Sequence, residues 1–247
     1  MMNKLIIGWL YPELMNIYGD RGNIIVLKKR CELRKIETEV KELNVGFNVK
    51  ELENCDLLLM GGAQDKQQQV VAEDLIKKRK TLLKLIEKGV PGIYICGAYQ
   101  FLGKYYKEAN GNLLKGLDIF DLYTENPGET KKRLIGNIAV KSEFGTLIGF
   151  ENHGGRTYLG KSLKPLGNVI SGFGNNGNDK TEGAIYKNSI GTYLHGPILP
   201  KNPELADYLI SLALKNKYKK DFKLKKLDDE LEQNARKVIA KRLSVAI

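Results

Sequence analysis

The sequence predicts an α/β protein with a mostly parallel central sheet flanked by helices, to which antiparallel strands and a helical C-terminal tail are added. Apolar runs of strand length alternate with longer segments of helical period over residues 5–106, as in parallel strands joined by helices. The runs "LLLM" and "IYIC" contain no charged residue, as expected of strands buried on both faces. After about residue 110 the chain is rich in Gly and Asn with short β-like runs, which favours antiparallel strands.

The first half is predicted to alternate strands and helices. Strands are predicted at "LIIGWL", "TEVKEL", "DLLLMGG" and "GVPGIYIC", and helices at "GNIIVLKKRCELRKI", "AEDLIKKRKTLLKLIEKG" and "AYQFLGKYY". Antiparallel strands are predicted at "GNIAVKS", "TLIGFENH", "NVISGFG" and "GAIYKNSIGTYLHG". The helices "NPELADYLISLALKN", opened by an Asn-Pro signal, and "LKKLDDELEQNARKVIAKRL" close the chain. We expect one domain over residues 1–200, with helices over 201–247 packed on it or extending from it.

Composition excludes several classes of protein. The apolar runs are far shorter than the roughly 20 residues that cross a bilayer. The start, "MMNKLIIGWLYPEL", has neither a full apolar signal region nor an A-x-A site, so we expect a cytoplasmic protein. Three cysteines, odd in number and without a C-x-x-C pair, predict no disulfide framework and no metal site.

The net charge of +11 raises the question of an anionic partner. The lysines are spread along the chain, and no known RNA-binding or zinc-finger pattern is present. The densest basic stretch, "KNKYKKDFKLKK", is interpreted as a solvated helix face or a linker. No nucleic acid is therefore expected, although a basic nucleic-acid-binding module is kept as the alternative outside enzymology, and a weak attraction to anionic lipid headgroups stays open.

Cys96 lies at the carboxyl end of a predicted strand, directly before a predicted helix. Ligands of open α/β sheets collect at that edge, and a helix N-terminus favours thiolate over thiol. The small residues Gly97 and Ala98 permit the sharp turn of a nucleophile elbow, with the Gly97 N–H aimed at a developing oxyanion. From this segment alone, a buried structural cysteine explains the pattern equally well.

The chain contains only two histidines. His195 ends a β-like run and precedes a Gly-Pro turn, so we expect it at the same sheet edge as Cys96, where the two would form a nucleophile and base. His153, followed by two glycines, is interpreted as a structural or substrate-adjacent residue.

Gly61 and Gly62 directly follow another predicted strand. Their backbone can approach a ligand closely and donate N–H groups, which makes them candidates for the second half of an oxyanion hole; a plain tight turn is an equally good alternative. The stretch "GNNGNDKT" nearly matches a phosphate-binding loop, but Asp179 replaces its second glycine. We therefore expect no cofactor in this chain.

The residues from Cys96 to Gln100, together with "YLHG" at 193–196, resemble the class I (triad-type) glutamine amidotransferases, in particular the cobyric acid synthase-like branch. Ala98 departs from the glycine of the usual C-x-G-x-Q elbow. Five stretches narrow the resemblance to the glutaminase subunits of lipid II isoglutaminyl synthases: "LYPELMNIYGDRGNI", "GGAQD", "GFENHGGRT", "GNNGND" and "YLHGPILPKNPELAD". They fall within residues 5–210, and Ala63 stands where those subunits more often have a glycine.

The resemblance implies a glutamine-hydrolysing subunit that forms a heterodimer with a Mur ligase-like (MurT-type) synthetase. The synthetase, carrying ATP and Mg²⁺, would activate the α-carboxyl of D-glutamate in lipid II, and ammonia from glutamine would convert it to D-isoglutamine. Contact with lipid II would place the complex at the inner face of the membrane. A glutaminase for another ATP-dependent amidation, such as that of cobyrinate, and a different cysteine hydrolase on the same fold are the alternatives.

The resemblance also implies site residues beyond Cys96 and His195. Arg133 matches an arginine that binds the glutamine substrate. Gln100, assigned with it as a substrate-site residue, is expected to brace the substrate loop. Most class I enzymes orient the histidine with a glutamate two residues later, where this chain has Pro197. Either Cys96 and His195 act as a dyad, or a carboxylate comes from the partner. "DR" at 20–21 is interpreted as a turn-stabilising pair without a role in the chemistry.

Overall fold

The helices and strands follow one another in the order that an α/β chain requires. The strands are β1 (Lys4–Leu10), β2 (Glu37–Leu43), β3 (Leu57–Met60), β4 (Gly92–Ile95), β5 (Tyr105–Lys107), β6 (Leu113–Lys115), β7 (Leu122–Glu125), β8 (Leu134–Ser142), β9 (Gly145–His153), β10 (Arg156–Leu159), β11 (Gly167–Ser171), β12 (Thr181–Glu182), β13 (Ala184–Tyr186) and β14 (Ser189–Thr192). The helices are α1 (Arg21–Glu32), α2 (Val49–Glu53), α3 (Asp65–Leu75), α4 (Arg79–Glu87), α5 (Gly97–Leu102), α6 (Ile198–Lys201), α7 (Pro203–Tyr218) and α8 (Glu230–Leu243).

A central sheet of six strands organises the computed structural model, which describes residues 3–128 and 131–247 apart from the side chain of residue 65. The spatial order is β13-β14-β4-β3-β1-β2. Neighbouring strands are parallel except at the edge, where β13 pairs with β14 antiparallel. Every residue of β3, β4 and β14 is buried, which explains why β3 and β4 appear in the sequence as continuous apolar runs.

Two smaller sheets flank the central one. β8, β9, β11 and β12 form a sheet in the order β12-β11-β8-β9, with every pair antiparallel. β5, β6, β7 and β10 form the other, which contains one parallel pair, β5 with β7. The predicted fold class is confirmed, and the antiparallel strands lie largely in these separate sheets instead of extending the central one.

Several predicted helices are wrong in extent. The helix predicted over 224–243 begins only at Glu230. The helix predicted over 98–106 ends at Leu102, and the chain then enters β5. Gly103 follows that helix, and a Cβ there would lie 2.8 Å from the carbonyl oxygen of Leu122, so the chain turns where only glycine fits. The helix predicted over 72–89 is divided by a 3₁₀ turn at Ile76–Lys78.

The C-terminal helices pack on the same body as the central sheet. α7 buries seven residues, including Leu205, Leu209 and Ala213. Ala240 of α8 packs on the outer face of the β8–β9 pair. An ion-pair cluster stabilises the junction, because the buried guanidinium of Arg30 in α1 binds Asp207 of α7 and a second aspartate just before α8. The boundary near residue 200 stays a prediction.

Four parallel strands, β1, β3, β4 and β14, end at one edge of the central sheet, and the segments that follow them meet there. These segments are 11–20 after β1, 61–64 after β3, Cys96 after β4 and 193–197 after β14. Ligand sites of open α/β sheets form at this edge. Over the described part of the chain, no helix combines the length and the apolar character needed to span a membrane.

Candidate active site

Cys96 is the residue that turns the chain from β4 into α5. Its backbone has φ 55° and ψ −108°, a conformation that residues other than glycine rarely adopt. Two backbone hydrogen bonds hold it, from the Cys96 N–H to the Thr192 carbonyl (2.8 Å) and from the Gln100 N–H to the Cys96 carbonyl (3.0 Å). The strained strand-to-helix turn is the geometry of a nucleophile elbow. Cys96 is 6% exposed and lines a cavity at this edge.

His195 follows β14, and both backbone hydrogen bonds and contacts of its ring hold it in place. Its N–H and carbonyl exchange hydrogen bonds with Phe150 of β9 (2.7 and 3.1 Å). The ring is fully buried, and the ring of Tyr18 meets it edge-on with 4.9 Å between the ring centroids. Its Nε2 has no hydrogen-bond partner among the described residues.

Asp20 is the carboxylate that orients His195. One oxygen lies 3.2 Å from Nδ1 of His195, and the other accepts the N–H of Gly62 at 2.9 Å. Asp20 is fully buried and follows β1, the neighbour of β3 in the sheet. The interpretation of "DR" at 20–21 as a turn-stabilising pair is therefore wrong, because Asp20 bonds the imidazole and the loop after β3 instead.

The charge of Asp20 dominates the protonation of His195. Burial lowers the pKa of the imidazole, but the adjacent carboxylate and the neighbouring Cys96 outweigh burial and raise the pKa to about 10. A buried cation is stable only beside a compensating charge. The raised pKa favours an imidazolium at neutral pH, with its Nδ1 held by Asp20.

Gly62 separates the thiol and the imidazole. A Cβ at Gly62 would lie 3.0 Å from Cβ of Cys96 and 3.1 Å from Cε1 of His195, so both side chains flank the same glycine. A Cβ at Gly61 would lie 2.8 Å from a carboxylate oxygen of Asp20. Residues 61 and 62 must therefore lack side chains, because a Cβ at either position would crowd Asp20, Cys96 or His195. The Gly62 N–H, which the sequence offers as an oxyanion donor, already has Asp20 as its acceptor.

A cavity of about 470 Å³ opens in front of Cys96. It is lined by Ile17, Tyr18, Ala63, Gln64, Gln68, Cys96, Gln100, Tyr106, Arg133, Ile135, Asn152, His153, Gly154 and Gly155. Arg133 donates from Nε and Nη2 to the side chain and carbonyl of Asn152, both at 3.0 Å. Gln100 donates to the hydroxyl of Tyr193 at 3.1 Å, while its Oε1 has no partner among the described residues. The structure thus brings Arg133 and Gln100 to the same cavity as Cys96.

His153 is held as part of the cavity wall. Its ring stacks on Tyr193 with 3.6 Å between centroids and 6° between planes, and its Nδ1 lies 2.8 Å from the carbonyl oxygen of Gly155. Its pKa is lowered by burial, which the nearby Glu151 offsets only in part. These contacts agree with the interpretation of His153 as structural or substrate-adjacent.

Sequence reasoning missed Asp20, Tyr18 and Gln68. The sheet-edge rule that selected Cys96, His195 and the two glycines also covers the segment after β1, but Asp20 lies ten residues beyond the strand end. Its position depends on how residues 11–19 fold back over the edge.

Within residues 3–128 and 131–247, no group of three or more His, Cys, Asp or Glu side chains could hold a metal ion.

The arrangement can perform acyl transfer on a small polar substrate. A cysteine thiol, an imidazole held by a carboxylate and backbone N–H groups meet at one mouth of a cavity, and an arginine lies on its wall, which is the set of groups that cysteine-dependent acyl transfer needs. A family model described as a CobB/CobQ-like glutamine amidotransferase domain matches residues 6–203. The chain belongs to this family. The resemblance to the cobyric acid synthase-like branch of the glutamine amidotransferases is confirmed.

Individual relatives cover most of the chain. It is 45% identical to the lipid II isoglutaminyl synthase (glutamine-hydrolyzing) subunit GatD of Staphylococcus aureus over 98% of this chain and 97% of that protein. It is 41% identical to the subunit of the same name from Streptococcus pneumoniae, over 93% and 88%. A probable cobyric acid synthase of Methanococcus maripaludis is 31% identical over 71% of this chain and 36% of that protein. A solved glutamine amidotransferase shares the fold, with a TM-score of 0.59 and 16% identity over 84% of this chain and 98% of that one.

Proposed function

We propose that this chain is the glutamine-hydrolysing subunit that supplies ammonia to a Mur ligase-like (MurT-type) synthetase, which amidates the D-glutamate of lipid II to D-isoglutamine. One observation carries the proposal: identities of 45% and 41%, nearly end to end, to two proteins named as the glutamine-hydrolysing subunit of lipid II isoglutaminyl synthase.

Cys96 is proposed as the nucleophile for glutamine. Its thiolate attacks the side-chain carboxamide carbon, and the tetrahedral oxyanion accepts the N–H of Gly97 and a second N–H from the loop after β3. Because the Gly62 N–H is held by Asp20, we assign this second donor to Gly61 or Ala63. Losing one such donor typically raises the barrier by about 2.7 to 4 kcal/mol.

His195 is proposed as the acid and then the base. In the first step its imidazolium gives a proton to the leaving nitrogen, the C–N bond breaks, and ammonia departs from a γ-glutamyl thioester on Cys96. In the second step the imidazole takes a proton from water, whose oxygen attacks the thioester and releases glutamate and the thiolate. Asp20 holds the ring in position and stabilises its positive charge, so the carboxylate comes from this chain and no partner residue is needed for it.

Arg133 and Gln100 are proposed to hold the amino-acid end of glutamine. Nη1 of Arg133 makes no hydrogen bond among the described residues and lies 3.4 Å from where a Cβ on Gly154 would stand, and a guanidinium binds a carboxylate well. Gln100 lines the same cavity, and its Oε1 has no hydrogen-bond partner among the described residues, so we assign it as the acceptor for the ammonium group of glutamine.

The synthetase is proposed to bind ATP and Mg²⁺, and this chain no cofactor. Ammonia set free in bulk water is protonated and loses its nucleophilicity, so the two subunits must form a heterodimer that closes a route between their sites. The proposed location is the cytoplasm, at the inner face of the membrane where lipid II is reached.

The test is to purify this chain together with the synthetase subunit and assay ATP-dependent amidation of lipid II. We expect amidation with glutamine and with ammonium chloride, and in Cys96→Ala we expect amidation with ammonium chloride only. Failure to amidate lipid II from either nitrogen source would refute lipid II as the acceptor. Amidation of cobyrinate by the same preparation would then identify cobyrinate as the acceptor instead. Faster hydrolysis of γ-glutamyl peptides than of glutamine would instead indicate a different cysteine hydrolase.

A further inference from the structure

Gln68 links the two halves of the active-site mouth. It lies in the first turns of α3, immediately beyond the loop that follows β3, and is 3% exposed. Its Nε2 donates to the carbonyl oxygen of Ala63 at 2.9 Å, and the same nitrogen would lie 2.9 Å from a Cβ on Gly97. The Gln68 amide therefore touches both the loop after β3 and the residue that follows Cys96.

The orientation of this amide is determined by its partner. The carbonyl oxygen of Ala63 can only accept a hydrogen bond, so the nitrogen of Gln68 must face it and the oxygen must be the other atom. That oxygen, Oε1, is buried and has no hydrogen-bond partner among the described residues. Buried polar atoms are almost always paired in folded proteins, and Gln68 is part of the cavity wall. An unpaired acceptor at this place indicates a donor supplied by the ligand.

The position of Gln68 shows which end of the ligand it meets. It contacts Gly97, next to the nucleophile, whereas Arg133 is bound to Asn152 on β9. The group that approaches Gln68 is therefore the one that reacts, and the group that approaches Arg133 is the amino-acid end. The oxygen of the reacting carboxamide faces the backbone N–H donors of the proposed oxyanion hole. Its NH₂ group therefore needs a hydrogen-bond acceptor elsewhere.

We propose that Gln68 Oε1 accepts a hydrogen bond from the carboxamide NH₂ of bound glutamine and so selects the amide substrate against the acid product. This inference rests on the proposed function and adds a specificity-determining residue to it. Glutamate has no hydrogen on its side-chain carboxylate at neutral pH, so its oxygens would face the lone pairs of Oε1. The same contact that recognises glutamine thus disfavours retention of glutamate after hydrolysis, while departing ammonia keeps a donor for Oε1.

The test compares Gln68→Met with Gln67→Met, a matched change one residue earlier. The Gln67 side-chain oxygen is likewise buried without a partner among the described residues, but Gln67 lines a neighbouring cleft and not the cavity in front of Cys96. Each variant is assayed with glutamine and with the γ-methyl ester of glutamate, which has the same reacting carbon but no N–H on its leaving group. We expect Gln68→Met to lower kcat/KM for glutamine by about tenfold or more, to leave kcat/KM for the ester within about twofold of wild type, and to bind glutamate more tightly. We expect Gln67→Met to behave as wild type with both substrates.

An equal loss of activity on amide and ester in Gln68→Met would overturn the proposal, because it would mean that the side chain only supports the Ala63 loop. Should that variant fail to fold, binding to Cys96→Ala decides: the proposal requires glutamine to bind at least about tenfold more tightly than glutamate, and equal affinities would refute it. If wild type cleaves the ester but not glutamine, the proposed function fails and not this inference alone.

Discussion

Replacing Asp20 with Asn tests whether this carboxylate controls His195. The substitution keeps the shape but removes the charge, and its single amide oxygen cannot accept from both His195 Nδ1 and the Gly62 N–H. Two unit charges separated by the 3.2 Å between Asp20 and His195 attract by about 5 kcal/mol at an effective dielectric constant of about 20. That corresponds to about 4 pKa units, the size of the rise from 6.5 to about 10 in the imidazole pKa.

We therefore expect the pKa of His195 to fall to near its ordinary value in Asp20→Asn, because burial then opposes only the contribution of Cys96. The assay is kcat/KM for glutamine hydrolysis between pH 5 and 10.5. Wild type should keep its activity up to about pH 10, where His195 loses its proton, whereas the variant should lose activity from about pH 6.5 upward. At pH 8 the rate should fall by about 10²- to 10⁴-fold.

Stability gives an independent measurement of the same contact. Because the pKa of His195 is higher in the folded chain than in the unfolded chain, its protonation stabilises the fold fully below about pH 6.5, and this contribution disappears as the pH rises through about 10. The difference in unfolding free energy between wild type and Asp20→Asn should shrink over that window. Arg21→Ala, a change in the neighbouring side chain, is the control. An alkaline limit unchanged in Asp20→Asn would refute the reasoning.

Three further substitutions test other parts of the site and fold. Gly62→Ala puts a methyl group 3.0 Å from Cβ of Cys96, so glutaminase activity should fall by about 10²-fold or more, with the melting temperature as the control for folding. Arg133→Lys loses the planar guanidinium and should raise KM for glutamine by about tenfold with little change in kcat; an unchanged KM would contradict its role. Arg30→Leu removes the buried guanidinium that joins Asp207 to Asp229, although Arg34 still binds Asp207, so urea unfolding should show a loss of about 2 kcal/mol, while the steady-state rate on glutamine stays that of wild type.

The parts of the fold that were predictable follow one rule. Strands buried on both faces appear as uninterrupted apolar runs, and such runs located β1, β3 and β4 from the sequence. The carboxyl-edge rule then predicts from the sequence that Cys96, His195 and the glycines after β3 lie together. Both signals are local, since each depends only on residues within or next to a strand.

The parts that could not be predicted depend on contacts between distant segments. Helix α5 ends at Leu102 because the backbone near Leu122 approaches Gly103. Residues 98–106 alone give no sign of this contact with a distant segment. The pattern of most class I enzymes predicts the carboxylate two residues after His195, where this chain has Pro197. The carboxylate that contacts His195 belongs instead to Asp20, 175 positions earlier in the chain. Its hydrogen bond forms only when the segment after β1 crosses the edge of β3.

The position of Asp20 changes what a partner subunit must provide. A carboxylate two residues after the histidine would depend on the β14 turn alone, whereas Asp20 connects His195 to Gly62 and so joins the segments after β14, β1 and β3. The Asp20 side chain therefore holds both the ring of His195 and the loop after β3 in position. A partner that contributed the carboxylate would be needed for every turnover, whereas Asp20 supplies a carboxylate to His195 from within this chain. We therefore expect any glutamine hydrolysis by the isolated chain to depend on Asp20, and kcat of wild type and Asp20→Asn measured with and without the synthetase subunit checks this.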